Sequence, residues 1–256
     1  LPRKSSASKV LGDLKKIKMS LETNLNLGIN EVYSPAGSHL SLGKDSSKVK
    51  DNLGIKKRVS MAKNELSLEE KISALEKLKT KVIKCQKCPL YKSRTNAVFG
   101  QGSPQARLMF VGEAPGRDED LQGKPFVGRA GKLLTKIIEA MGLKREEVYI
   151  ANILKDRPPA NRNPQDDEIK ACVPYLKEQI KIIQPEVICG LGTFAAQRLL
   201  ELETPISKLR GKFFLYEGIN FMPTYHPAYL LRNPKEKSAV WSDMKLIMQE
   251  LNLKVK

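Results

Sequence analysis

Between residues 67 and 256 the apolar positions switch repeatedly between a helical and an extended period. Ser67-Leu68-Glu69-Glu70 has the form of a capping box, and Leu68, Ile72, Leu75, Leu78 and Val82 follow at helical spacing, so a helix is predicted from Ser67. The apolar run 108–111 predicts a short buried strand that ends in a glycine turn, and 131–141 predicts a helix through Leu133, Leu134, Ile137, Ile138 and Met141. A second strand is expected over 148–154. A second helix is expected over 164–183, opened by Asn163 and the first-turn acids Asp166, Asp167 and Glu168. Further strands at 187–191, 212–216 and 221–225, a helix at 193–200 and a closing helix at 236–251 complete the pattern. Strands interleaved with helices of this length predict an α/β fold with a mostly parallel sheet covered on both faces. Ligands in such folds bind beyond the carboxyl ends of the strands. The segments 112–116, 155–159, 190–193 and 226–227 all follow predicted strand ends, and they are expected to meet in one crevice.

Residues 1–66 differ in kind. They hold 13 Lys/Arg, 6 Asp/Glu, ten Ser, one aromatic residue (Tyr33) and no Cys. So little apolar surface cannot offset the entropy of ordering, and the stretch is expected to be a largely disordered basic extension, with a short helix at most through Val10, Leu11, Leu14 and Ile17. It reads either as a tether to nucleic acid or a partner, or as a passive tail. The ordered domain is expected over 67–256. Across all 256 residues, 45 Lys/Arg stand against 28 Asp/Glu, a formal charge of +17. That surplus favours polyanionic partners, because neutralising phosphates releases condensed counterions; a lysine-rich solvated surface is the bland alternative. No apolar run approaches the ~20 residues that cross a bilayer. No membrane or export segment is expected, and the chain is placed in the cytoplasm, with the nucleoid.

All four cysteines lie in the ordered part: Cys85 and Cys88 as Cys-x-x-Cys, Cys172 on a predicted helix and Cys189 in a predicted strand. A pair plus two more without an export signal favours a metal or cluster site over disulfides. The wide spacing of Cys172 and Cys189 suits an iron–sulfur cube; zinc and ordinary core thiols remain open on spacing alone. The segment 123–130 has the glycine spacing of a phosphate-binding P-loop. Arg129 and Ala130 stand where that chemistry needs Lys and a hydroxyl, so an NTPase is excluded and the glycines shape a loop that presents Phe126.

Taken together, Cys85 to Tyr91, "GEAPGRDEDLQGKPFVGRAGKLL", "ANILKDRPPANRNP", "VICGLG" and "MPTYHPAYLLRNP" resemble the family 4, iron–sulfur uracil-DNA glycosylases from about residue 70 to 251. The resemblance implies a three-layer αβα sandwich around a mostly parallel four-stranded sheet. It implies a monomeric enzyme that flips uracil out of single- or double-stranded DNA and hydrolyses its N-glycosidic bond, leaving an abasic site for base excision repair. It further implies a 4Fe-4S cluster on Cys85, Cys88, Cys172 and Cys189. The family often carries Cys in the segment that here reads Lys155-Asp156-Arg157, and with Asp156 present these four thiols are the expected ligands. The alternatives are a related glycosylase of broader specificity and a non-catalytic, zinc-held nucleic-acid module.

The same resemblance assigns roles. Glu113 is expected to orient water and stabilise the cationic sugar. Asn152 reads the base, and Phe126 stacks on it. His226 donates to uracil O2. Gly112, Ala114 and Glu119 line the substrate site, with Glu119 and Asp120 either excluding the thymine methyl or bracing the loop. Leu230 or Leu231 wedges into the DNA stack, Arg232 grips phosphate, and Arg157, Asn161 and Arg162 touch the backbone. Read without the resemblance, Glu113 caps a turn, Phe126 is a core residue, Asn152 ends a strand and His226 is a satisfied structural histidine.

Overall fold

The computed structural model of the protein describes residues 66–254 and the backbone of two short strands, β1 (Glu31–Tyr33) and β2 (His39–Ser41). The chain divides into two units, Leu1–Met61 and Ala62–Lys256. In the first, β1 and β2 pair antiparallel, with Val32 opposite Leu40. The expected helix through Val10, Leu11, Leu14 and Ile17, and the expected disorder of the extension, lie outside the described residues.

The second unit is built on a sheet whose strands are β3 (Gln101–Gly102), β4 (Leu108–Gly112), β5 (Tyr149–Asn152), β6 (Val187–Leu191), β7 (Phe214–Tyr216) and β8 (Ile219–Thr224). Their spatial order is β3-β5-β4-β6-β8-β7. The inner four are mutually parallel. β3 and β7 add an antiparallel edge at each side. The expected four-stranded sheet is therefore the centre of a six-stranded one. β3 is two residues long, too short to leave a period in the sequence. β7 turns into β8 through Glu217 and Gly218, whose φ values of 49° and 86° are those of a tight primed hairpin turn.

The helices follow the predicted pattern closely. They are α1 (Leu68–Ile83), α2 (Arg117–Gln122), α3 (Arg129–Ala140), α4 (Asp166–Ile183), α5 (Gly192–Leu200), α6 (Ile206–Leu209), α7 (Pro227–Arg232) and α8 (Lys237–Glu250). α1 opens with the predicted capping box: the Glu70 amide donates to Ser67 Oγ at 3.2 Å, and the Ser67 amide donates to Glu70 Oε2 at 2.7 Å. Leu75, Leu78 and Val82 are buried, whereas Leu68 and Ile72, expected on the same face, are 39% and 46% exposed. At that end Lys71 makes the contact instead, donating from Nζ to the Ile183 carbonyl at the end of α4. The short helices α2, α6 and α7 span too few turns to be read from periodicity.

Every residue of β4, β5 and β6 is buried, as expected of parallel strands covered on both sides. Side chains alternate between faces. Met109, Val111, Ile188 and Phe221 pack with Leu75 of α1, Ile180 of α4 and Ala195 of α5. Phe110, Cys189 and Met222 pack on the other face with Leu134 of α3 and Met244 of α8. The result is the expected three-layer αβα sandwich. Asp243, fully buried on α8, accepts from Thr224 Oγ1 at 2.6 Å and from Arg210 Nη2 at 2.7 Å, and so ties α8 to the end of β8. The register sets Gly112 beside Asn152 and Leu191 beside Thr224, so all four parallel strands end at one edge.

Candidate active site

That edge opens into a cavity of about 530 Å³ whose walls include Glu113, Ala114, Phe126, Asn152, Arg162, His226 and Arg232. Three of the four segments expected to meet there do so. The fourth, 190–193, supplies no wall residue and supports His226 from behind: a Cβ on Gly192, at φ +91°, would stand 3.0 Å from His226 Cβ.

Asn152 forms the floor. It is 2% exposed, and its Oδ1 has no hydrogen-bond donor among the described residues. Lys155 fixes the strand end, donating from Nζ to the Asn152 carbonyl at 2.8 Å and to Gln179 Oε1 at 2.7 Å. Gly112, expected to touch substrate, is instead the space beside the floor. A Cβ there would lie 2.4 Å from Asn152 Oδ1 and 2.6 Å from Phe126 Cζ. Phe126 covers this corner from φ 52°, the left-handed region that an aromatic residue rarely enters. Gly131 makes room for that backbone, because a Cβ on it would collide with the Phe126 carbonyl oxygen at 1.9 Å. The Phe126 and His226 rings lie 5.6 Å apart, tilted by 33°.

His226 caps α7, accepting the Ala228 amide proton on Nδ1 at 3.1 Å. The acceptor lone pair on Nδ1 puts the ring proton on Nε2. Desolvation by the cavity walls, reinforced by the Arg232 charge, lowers its pKa to about 4. The ring is thus a neutral donor at physiological pH. Glu113 lies opposite, half-buried and without an ion-pair or hydrogen-bond partner for its carboxylate among the described residues, and burial raises its pKa. Glu119 differs. Its carboxylate accepts the amides of Gly116 at 3.1 Å, Val127 at 2.8 Å and Gly128 at 2.9 Å, which makes it the brace that joins the two glycine turns. Asp120 braces the loop in the same way, accepting from the Thr95 amide at 2.8 Å.

The outer residues divide sharply. Leu230 is 1% exposed in the core beneath α7, so it has no path to DNA, while Leu231 is 44% exposed. Leu231 and Arg232 share a second concavity with Arg117 and Arg129, two cations to which the sequence patterns assigned no DNA contact. Arg162 pairs with the buried Glu168 through both guanidinium nitrogens, and Arg157 donates to Asn161 Oδ1 at 2.7 Å. Both loop arginines are therefore held by the protein. Lys155 and Tyr229, another wall residue, were also missed. Tyr229 sits on a helix too short to show a period, and Lys155 acts through a carbonyl three residues back, which leaves no sequence signature.

The cysteines do not meet as expected. Cys85, Cys88 and Cys172 lie with the α1/α4 face of the sheet. The Cys172 thiol donates to the Cys88 sulfur, which lowers the Cys88 pKa to about 7 and raises that of Cys172. The Leu90 amide donates to Cys88, the Lys155 amide donates to Cys172, and Tyr175, one turn beyond Cys172, bonds to Cys85. Cys189 is fully buried on the opposite face between Val187 and Leu191, so the sheet itself separates it from the other three. Among the described residues no three His, Cys, Asp or Glu side chains converge on a single-ion site.

A family model described as the Uracil DNA glycosylase superfamily matches residues 99–245. The type-4 uracil-DNA glycosylase of Sulfurisphaera tokodaii is 48% identical over 187 residues, 70% of this chain and 85% of that protein. That of Archaeoglobus fulgidus is 46% identical over 69% of this chain and 92% of its own length. A type-5 enzyme of Pyrobaculum aerophilum is 26% identical over 59% and 80%. The fold, the edge cavity and these likenesses define a member of the uracil-DNA glycosylase superfamily, and within it the chain belongs to the type-4 family.

Two outcomes follow from the geometry. Gly112→Ala should leave the fold intact by circular dichroism yet reduce activity at least about 10²-fold, because its methyl takes the space beside Asn152 Oδ1. For His226, the unfolded chain takes up a proton near pH 6.5 and the folded chain only near about 4. Between these values the unfolded state holds more protons, so stability should fall as pH drops, with a slope of up to about 1.4 kcal/mol per pH unit. Denaturant titrations of His226→Asn over this range should lack that component.

Proposed function

We propose that the protein excises uracil from DNA by hydrolysing the bond between the base and deoxyribose, leaving an abasic site. The observation that carries this reading is the unpartnered Oδ1 of Asn152, buried in the cavity floor beneath the Phe126 ring. A buried acceptor without a donor costs about 1–3 kcal/mol, which a ligand N–H in that position recovers. Uracil offers N3–H to Oδ1 and its O4 to the amide nitrogen. Cytosine presents the reverse pattern at both atoms, and a buried mismatch of that kind discriminates by about 10⁴ or more. Phe126 supplies the stacking surface for the extruded base.

Bond cleavage moves negative charge onto uracil and positive charge onto the sugar. His226 Nε2–H, fixed as a neutral donor by the Ala228 amide, meets O2 as charge gathers there. Glu113, with no ion-pair partner among the described residues, stabilises the sugar and orients the water whose hydroxyl adds to the anomeric carbon; the water's remaining proton goes to the departing base. Leu231 fills the gap in the stack and Arg232 holds an adjacent phosphate.

The chain also carries an iron–sulfur cluster on this reading. Cys85, Cys88 and Cys172 fit such a group: they share one face, and main-chain amides of Lys87, Leu90 and Lys155 already donate to all three sulfurs. Bound there, the cluster supplies a cross-link between the segment after α1 and the middle of α4, outside the catalytic steps. The basic extension over residues 1–66 acts as a nucleic-acid tether or partner arm, and the domain over 67–256 works as a monomer beside the chromosome in the cytoplasm. Among the described residues no helix is long and apolar enough to cross a membrane.

A single-stranded oligonucleotide with one uracil should acquire an alkali-labile site without added Mg²⁺, and an intact strand at high enzyme concentration contradicts the reading. Asn152→Asp should lower kcat/KM for uracil by at least about 10²-fold. Because burial raises the Glu113 pKa and the ionised form does the work, kcat/KM should fall on acidification from a pH above the ordinary carboxylate range. Glu113→Gln should lose about 10²-fold or more in rate together with that acid limb, and a limb that survives in the variant belongs to another group.

A further inference from the structure

We propose that Asp156 is the fourth ligand of the iron–sulfur cluster, bound through a carboxylate oxygen. This rests on the cluster reading above. The starting point is the parity of β6. Val187, Cys189 and Leu191 face the α3/α8 layer, while Ile188 faces the layer that holds Cys85, Cys88 and Cys172. Bringing Cys189 to the other thiols requires a one-residue slip that turns every side chain of a fully buried strand to the wrong face. The fourth position must come from elsewhere.

Asp156 is the side chain in place to take it. It is 3% exposed, and the amide of the residue before it, Lys155, donates to the Cys172 sulfur. Its charge is felt at both Cys88 and Tyr175, the groups in contact with Cys172 and Cys85. Its carboxylate is also under-used. One nitrogen, Arg94 Nη1, donates to both oxygens, at 3.0 Å and 2.8 Å, while Arg94 Nη2 turns to the Ile83 carbonyl. A carboxylate offers about four acceptor positions, so acceptor capacity remains on both oxygens after the Arg94 bond is made. A cube holds its ligands on separate corners, several ångströms apart, which is consistent with neighbouring side chains that do not converge on a single ion. Replacing a thiolate by a carboxylate leaves the ligand charge unchanged, and Arg94 is the cation paired with Asp156.

An oxygen ligand is harder than a thiolate and holds its iron less firmly in a sulfur-rich cluster. The iron at the Asp156 corner should therefore leave first. When ferricyanide removes one electron from a 4Fe-4S cluster in the 2+ state, departure of one ferrous ion leaves a 3Fe-4S cluster in the 1+ state, still held by three thiolates. The test is anaerobic reconstitution of the full chain with iron and sulfide, then stoichiometric ferricyanide, followed by iron analysis and electron paramagnetic resonance. The wild type should lose one iron in four and give the half-spin signal of a three-iron cluster. Asp156→Cys should keep all its iron and stay silent, and Cys189→Ala should match the wild type, with thermal melts confirming the fold of each. A wild type as resistant as Asp156→Cys overturns the assignment, as does loss of cluster in Cys189→Ala. If Asp156→Cys also fails to take up iron and sulfide and neither protein shows broad absorbance near about 400 nm, the cluster reading itself falls.

Discussion

A buried amide oxygen with no hydrogen-bond donor among the described residues is the constraint around which this site is arranged. Asn152 Oδ1 stands in the cavity floor with no hydrogen-bond donor among the described residues, and a buried acceptor left without a donor costs about 1–3 kcal/mol. Several neighbours hold that arrangement. The register of two parallel strands sets Gly112, a residue with no side chain, beside it. The Phe126 backbone enters a strained region to lay its ring over the same corner, and Gly131 leaves the room for it. Lys155 grips the carbonyl of Asn152 from behind. Strain and unsatisfied polarity gathered in one place are what a preorganised recognition site requires.

Electrostatics divide the protein in a complementary way. The chain is strongly basic overall, yet the carboxylates around the cavity have separate tasks. Glu119 spends its oxygens on three amides, Asp120 accepts from the neighbouring loop, and Glu168 neutralises Arg162. Glu113 alone has no partner among the described residues, and in the proposed reaction it faces the positive charge that develops on the sugar. In the same proposed reaction His226 meets the opposite charge without being ionised, because burial and Arg232 hold it neutral and its cap to α7 dictates which nitrogen carries the proton.

Much of the fold was legible in the residues because its signals are local. The continuous apolar runs of β4 and β6, the capping box at Ser67 and the helical stripes of α3 and α4 each depend on a few neighbouring side chains. The edge strands were harder: two residues in β3 carry no period. Within the site, the motif residues Glu113, Phe126, Asn152 and His226 were found, and they do share one cavity. What they do to one another was not readable. The strained turn at Phe126 depends on a glycine five residues later. The choice between Leu230 and Leu231 depends on which side of a six-residue helix meets the core. Cys189 shows a deeper limit. Its alternation with Val187 and Leu191 is plain in the sequence, but which layer holds Cys172 is decided by the path of α4 across the sheet, and only the assembled fold reveals that the two lie on opposite sides.

The central claim is that Asn152 Oδ1 accepts a hydrogen bond from N3–H of the extruded base. Equilibrium binding of a non-cleavable 2′-fluoro-deoxyuridine oligonucleotide, compared with the same strand carrying N3-methyluracil, tests it directly. Removing the N3 proton should weaken binding by at least about tenfold, the cost of leaving one buried acceptor unmatched and crowded by a methyl group. Equal affinity for the two strands would contradict the account.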